Sequence, residues 1–397
     1  MSKVLFVNGN LYGHINPTLP VVKELVQRGE EVYYFSTKEF QRQLEDSGAI
    51  FVDYGEAFDH FLHHFQAHGN HPFYTLMEYM LAFDRCVIPV VLEKTPQIGA
   101  DYILHDAMFG GGSILAGLLN LPGITSCSSF LLEKPPLPER MLEPGFHPQL
   151  DYLYQELAAA EVAWGTPPLR ISDIFFQRED LILTYTSRLF HPLGESYDIT
   201  YHFVGPSILD RKEIPDFSFD NRNGKKLIYI SLGTIHSNCM EFYQQCFEAF
   251  SEENYQVVMS VGNKTDLSAL EPLPDNFIIR KYIPQLAVLK KTDVFLSHGG
   301  LNSVSEALFY GVPVIAVPMS NDQPAVAKRL KELGAGIELK MEDITPSLLR
   351  QTVLEVLSKP EYKIHCNEIR ESFKKAGGYR TAASDILEFI RQKQHQC

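Results

Sequence analysis

Twice along its length the chain sets short, β-rich apolar runs between longer segments of helical period, and this alternation restricts it to parallel sheets flanked by helices. The first series predicts strands at Val4–Val7, Val32–Ser36, Ile50–Tyr54, Tyr102–His105, Ile124–Ser126 and Leu181–Thr184. The second predicts strands at Leu227–Ser231, Gln256–Ser260, Phe277–Arg280, Val294–Ser297, Val314–Val317 and Gly336–Leu339. Helices are expected near Glu241–Ser251, Asn302–Tyr310 and Gln323–Leu333, and the tail from Thr345 reads as helical. Between the series, "LDRKEIPDFSFDNRNGKK" (Leu209–Lys226) is polar and lacks either period, which marks a linker. A chain of 397 residues also exceeds what one core usually serves. The expectation is two Rossmann-like domains, 1–208 and 227–360, followed by C-terminal helices over 361–397.

Several function classes fall away on composition. A formal charge of −14 opposes binding to nucleic acid, which needs clustered Lys and Arg. "KVLFV" is too short for a secretory leader, and no run approaches the 18 or so apolar residues of a membrane span. Six cysteines without a C-x-x-C pair suit a reducing cytoplasm and offer no zinc or disulfide framework.

Sheets of this kind bind ligands beyond the carboxyl ends of their strands, where helix N-termini supply backbone donors. "VFLSHGGLNSVSEALFYGVPVIAVP", Val294–Pro318, has the strongest such turn. His298 stands at the strand end, Gly299 and Gly300 admit a ligand close to the backbone, and Asn302 and Ser303 are expected to cap the next helix. Glu306, one turn on, can accept from a ribose diol. A nucleotide phosphate with its sugar fits this pocket. Neither G-x-G-x-x-G nor G-x-x-x-x-G-K-[ST] occurs, so the dinucleotide and P-loop fingerprints are absent.

"YIPQLAVLKKTDVFLSHGGLNSVSEALFYGVPVIAVPMSNDQ" (Tyr282–Gln323) resembles the donor signature of the family 1 UDP-dependent glycosyltransferases in their bacterial, macrolide-glycosyltransferase-like form. "YGHINPTLPVVKEL", "HFVGPS", "ISLGT" and "AGG" extend the resemblance over essentially the whole chain. It implies a GT-B architecture of two Rossmann-like domains with an interdomain cleft, the last helix returning to the first domain. It implies that Tyr282 and Ile283 flank uracil, Gln285 and Glu306 hold the ribose, and Ser231, Thr234, His298, Gly300, Asn302 and Ser303 surround the diphosphate. Asp322 and Gln323 would contact the transferred hexose, usually glucose. Leu301 stands where plant members carry tryptophan, as in bacterial members.

The same resemblance makes His14 the general base of an inverting transfer and Asp106, in "DYILHDAMFGGG", the carboxylate that orients it. The residues agree. Asn16 as cap and Pro17 in a first turn would start a helix just after His14, and a ring beside that N-terminus stays neutral, ready to take a hydroxyl proton. The bland alternatives are a packing histidine and an N-cap for a helix at Gly111–Leu119; His105 faces the other side of its strand. Helix dipoles and backbone donors suffice for the leaving diphosphate, so no cofactor or metal is expected. His60, His64 and His68 have helical spacing, and a metal site there is the lesser reading beside a solvated helix. Phe58, Phe61, Phe65, Phe73, Tyr74, Tyr79 and Phe83 are expected to contribute partly to core and partly to a pocket for a hydrophobic hydroxylated acceptor such as a flavonoid or macrolide. A monomer is favoured. The competing functions are an epimerase or hydrolase of nucleotide sugars and a non-catalytic UDP-sugar binder.

Overall fold

The computed structural model describes residues 2–132, 134–209, 224–233, 239–251 and 254–395. They form two compact units. The first comprises Met1–Tyr185, Tyr197–Ser207 and Tyr379–Cys397, and the second Thr186–Ser196 and Ile208–Gly378. The expected linker lies largely outside the described residues. Thr186–Ser196, expected within the first domain, clusters with the second unit, where Arg329 donates to the carbonyls of Leu189 and Phe190.

In the first unit the strands are β1 (Lys3–Val7), β2 (Glu31–Ser36), β3 (Ile50–Asp53), β4 (Tyr102–Asp106), β5 (Gly123–Cys127), β6 (Ile182–Thr184) and β7 (Tyr201–Phe203). They form one parallel sheet in the order β3-β2-β1-β4-β5-β6-β7. The second unit repeats the plan with β8 (Lys226–Ser231), β9 (Tyr255–Ser260), β10 (Phe277–Arg280), β11 (Val294–Ser297), β12 (Val314–Ala316) and β13 (Gly336–Glu338). Their order is β10-β9-β8-β11-β12-β13, also parallel. Central strands such as β1, β4 and β11 are almost wholly buried, as a sheet covered on both faces demands.

Each order reverses once, between β1 and β4 and between β8 and β11. Crossovers leave those two points to opposite faces, which opens a crevice at the carboxyl ends of the strands. Whatever the chain carries after β1, β4, β8 and β11 is therefore presented to a ligand.

The helix Tyr379–Gln394 belongs to the first unit, although the whole second unit precedes it in the chain. Its Ala382, Ala383, Ile386 and Ile390 are buried in one cluster with Val21, Val22 and Leu25 of the helix Thr18–Gln27. Arg28 donates to Ser384 Oγ at 2.8 Å, and His202 Nδ1 lies 2.7 Å from Asp385 Oδ2.

Candidate active site

The turn after β1 is organised by Asn8, whose buried amide donates to the carbonyl of His14 at 3.1 Å and to Tyr34 Oη at 2.6 Å. The helix expected after His14 runs over Thr18–Gln27, and His14 itself sits in the last turn of a separate four-residue helix, Tyr12–Ile15. Asn16 has αR dihedrals and closes that helix by donating to Tyr12 O, so it cannot take the extended form of an N-cap for the next one. Pro17 occupies that position instead. The group that faces the ring directly is a carboxylate.

That carboxylate is Asp106, the last residue of β4, whose Oδ2 lies 2.6 Å from His14 Nδ1. Asp106 is 2% exposed and the His14 side chain 16%. Asp106 Oδ1 accepts from the backbone of Met108 at 2.8 Å and Phe109 at 3.0 Å, so one oxygen is fixed to the loop while the other meets the ring. Phe109 packs edge-on against the imidazole with centroids 5.2 Å apart. A proton on Nδ1, directed at Oδ2, places the basic lone pair on Nε2. The capping alternative for Asp106 does not hold: the following helix is Gly112–Leu119, with Gly111 at its cap and no side-chain bond. His105 is buried on the other face, with Nε2 3.4 Å from Glu179.

At the second switch point Ser231 pairs with Ser297 in register. Gly233, at φ +79, follows β8, and Gly299, at φ +85, follows β11. A Cβ on Gly233 would meet His298 Cε1 at 2.7 Å, and one on Gly300 would meet His298 Nε2 at 2.6 Å. The His298 ring is thus seated against two stretches of bare backbone. The helix Leu301–Phe309 starts from Gly300 without a side-chain cap, so Asn302 and Ser303 belong to its first turn and do not cap it. Asp322 Oδ2 lies 3.4 Å from Leu301 N instead.

One turn deeper, Gln285 Nε2 donates to Glu306 Oε2 at 2.7 Å and to Ser303 Oγ at 3.3 Å, while Tyr229 Oη donates to Gln285 Oε1 at 3.2 Å. Glu306 is 9% exposed. Tyr282 is 57% exposed and Ile283 only 3%, so only the tyrosine presents a broad face. The Oε1 of Gln323 accepts from Met319 and Ser320, which commits that end of the amide to the turn before its helix. Thr234 lies outside the described residues.

The histidine cluster separates into unrelated parts. The helix Glu56–His64 ends at Phe65, so His68 leaves the face shared by His60 and His64 and stacks on Tyr152 with centroids 3.5 Å apart. His71 caps the helix Pro72–Ile98. Of the expected aromatic wall, Phe58, Phe61, Phe73, Tyr74 and Phe83 are core; only Phe65 and Tyr79 are partly exposed. Asn8 and Tyr229 carry no sequence signal that marks them as supports: one follows a strand and the other, stacked on Phe295, looks like core.

Residues 245–377 match the model of the Erythromycin biosynthesis protein CIII-like, C-terminal domain family. The chain is 34% identical to the uncharacterized UDP-glucosyltransferase YojK of Bacillus subtilis, covering 99% of this chain and 98% of that protein. It is also 34% identical to the uncharacterized UDP-glucosyltransferase YdhE of the same organism, over 99% of this chain and all (100%) of the other. The solved structure of the kitacinnamycin glycosyltransferase superposes with a TM-score of 0.86 at 26% identity, over 98% of this chain and 99% of that one.

Proposed function

Since the chain belongs to the family 1 glycosyltransferases and has their two-domain GT-B fold, we propose that it is an inverting enzyme moving a hexose from a UDP-sugar to a hydroxyl of a hydrophobic small molecule. The observation that carries the reading is the contact between His14 Nδ1 and Asp106 Oδ2 at the first switch point.

His14 Nε2 takes the proton of the acceptor hydroxyl as its oxygen attacks the anomeric carbon, and Asp106 stabilises the imidazolium that forms. UDP departs from the opposite face. Its charge is met by the N-terminus of Leu301–Phe309, the backbone at Gly233 and Gly300, and the side chains of Ser231, Thr234, His298, Asn302 and Ser303. Gln285 and Glu306 receive the ribose, Tyr282 the uracil, and Asp322 with the amide of Gln323 the hexose. Glucose is the proposed sugar, from the names of the Bacillus relatives, and a macrolide or flavonoid the proposed acceptor class, the former supported by the family description naming erythromycin. No divalent ion takes part in this scheme. Among the described residues no helix is long and apolar enough to cross a membrane.

The test incubates the protein with UDP-glucose in the presence of EDTA, with and without a panel of phenols and macrolides, and reads products by mass spectrometry. A β-glucoside formed only with acceptor supports the reading. An altered or hydrolysed sugar without acceptor points to an epimerase or hydrolase, and tight donor binding with no product to a binding protein.

A further inference from the structure

The loop 107–111, which leads away from Asp106, has its backbone donors divided between two carboxyl groups. Asp106 Oδ1 accepts from Met108 and Phe109. The next donor turns the other way: Gly110 N donates to Asp84 Oδ1 at 2.8 Å, and Gly111 follows it against the same side chain. Asp84 lies inside the helix Pro72–Ile98, is 0% exposed, and its Oδ2 has no partner among the described residues. Burial, and to a lesser degree the nearby Asp106, holds its carboxyl well above the usual carboxylate range, so it serves as a neutral acceptor.

Nothing in the loop can replace it. Gly110 and Gly111 have φ +89 and +59, and added Cβ atoms would strike Val7 at 2.7 Å and Ile88 at 2.5 Å, so the backbone fills its space completely. Phe109, between the two sets of donors, touches the His14 ring and also lies where a Cβ on Gly9 would meet it at 2.8 Å. Releasing the Gly110 donor leaves a buried N–H group unpaired and frees the loop to shift, taking Phe109 and the Asp106 carboxylate with it.

We propose that Asp84 is a positioning residue for the His14–Asp106 pair, holding it in register through the N–H group of Gly110. The assignment rests on His14 being the base, and its test separates the two ideas.

Asp84→Asn retains an acceptor oxygen without charge; Asp84→Ala and Asp84→Ser do not reach the loop. In protein with 15N-labelled histidine, the low-field Nδ1 proton of His14, assigned by its loss in His14→Ala, reports the bond to Asp106 directly. Asp84→Asn is expected to keep that resonance and to keep kcat within about twofold. Asp84→Ala is expected to shift or lose the resonance and to lower kcat by about 10- to 100-fold at unchanged KM for the UDP-sugar. A folded Ala or Ser variant with the resonance and kcat intact overturns the proposal, as does an Asn variant as damaged as the Ala one. If neither Ala nor Ser folds while Asn is active, Asp84 serves stability alone and the proposal falls. Undiminished turnover in His14→Ala defeats the base assignment; the resonance still decides whether Asp84 positions the pair.

Discussion

His14 Nδ1 and Asp106 Oδ2 stand 2.6 Å apart although 92 residues separate them in the chain. The sheet order explains the distance: β1 and β4 are neighbours at the reversal point, with Val7 opposite His105 in register, so the residues just beyond them share one crevice. The partner of a base after the first strand is therefore sought at the end of the fourth.

His14→Ala is expected to lower kcat by about 100- to 10,000-fold while leaving UDP affinity within about twofold. Asp106→Asn turns an amide towards Nδ1 and moves the ring proton to Nε2, where the acceptor must be met, so a loss of about 100-fold or more is expected as well. Steady-state rates with calorimetric UDP titration check both; full activity in either variant contradicts the assigned roles.

Gly300→Ala introduces no backbone strain, since Gly300 has φ −63, but its Cβ would lie 2.6 Å from His298 Nε2. The ring must move away from the helix start. The expected result is a rise of about tenfold in the Kd for UDP, equivalent to about 1.4 kcal/mol, with the fold intact by circular dichroism. Gly233→Ala adds the cost of a positive φ and is expected to be worse.

Glu306→Ala removes the nearer acceptor of a part-buried amide donor, Gln285 Nε2, and leaves it only the longer bond to Ser303 Oγ. A loss of about 1–3 kcal/mol in unfolding free energy is expected, together with a smaller rise in melting temperature when UDP is added. Differential scanning fluorimetry with and without UDP measures both. Wild-type behaviour in the two would separate Glu306 from nucleotide binding.

Stability is expected to depend on pH through His191. Burial, followed by the neighbouring Arg329 guanidinium, pushes its imidazole down to about 4, and its Nδ1 accepts from Leu193 N, a bond that only the neutral ring can make. The unfolded chain then binds the proton more readily than the folded one. Stability from this group is complete above about pH 6.5 and is lost as pH falls towards about 4, by about 3 kcal/mol at most. Urea unfolding across that window, compared with His191→Gln, isolates the effect; equal slopes in the two proteins refute it.

The two parallel sheets were legible because their buried strands leave apolar runs such as "VFL" and "VLFV", with turn residues after them. The edge strand Tyr201–Phe203 was not, since three residues carry too little pattern to show a period. The helix Pro72–Ile98 hides for another reason: Pro89 and Pro96 lie inside it, a local contradiction that packing overrides. Within the site, His298 could be named because it follows a predicted strand at a glycine turn, and His14 and Asp106 because their surrounding motifs resemble those of a known family. Asn8, Tyr229 and Asp84 could not, because each acts on a partner brought to it only by the folded sheet.

The helix Tyr379–Gln394 sets an order of assembly. Val21, Val22 and Leu25 emerge from the ribosome early, yet the four side chains that cover them are translated only after the whole second unit. At roughly 5–20 residues per second, that leaves an apolar stripe uncovered for about 20 to 70 seconds in each nascent chain. A stop codon placed just before Tyr379 would make the exposure permanent, so the last helix guards newly made molecules against aggregation.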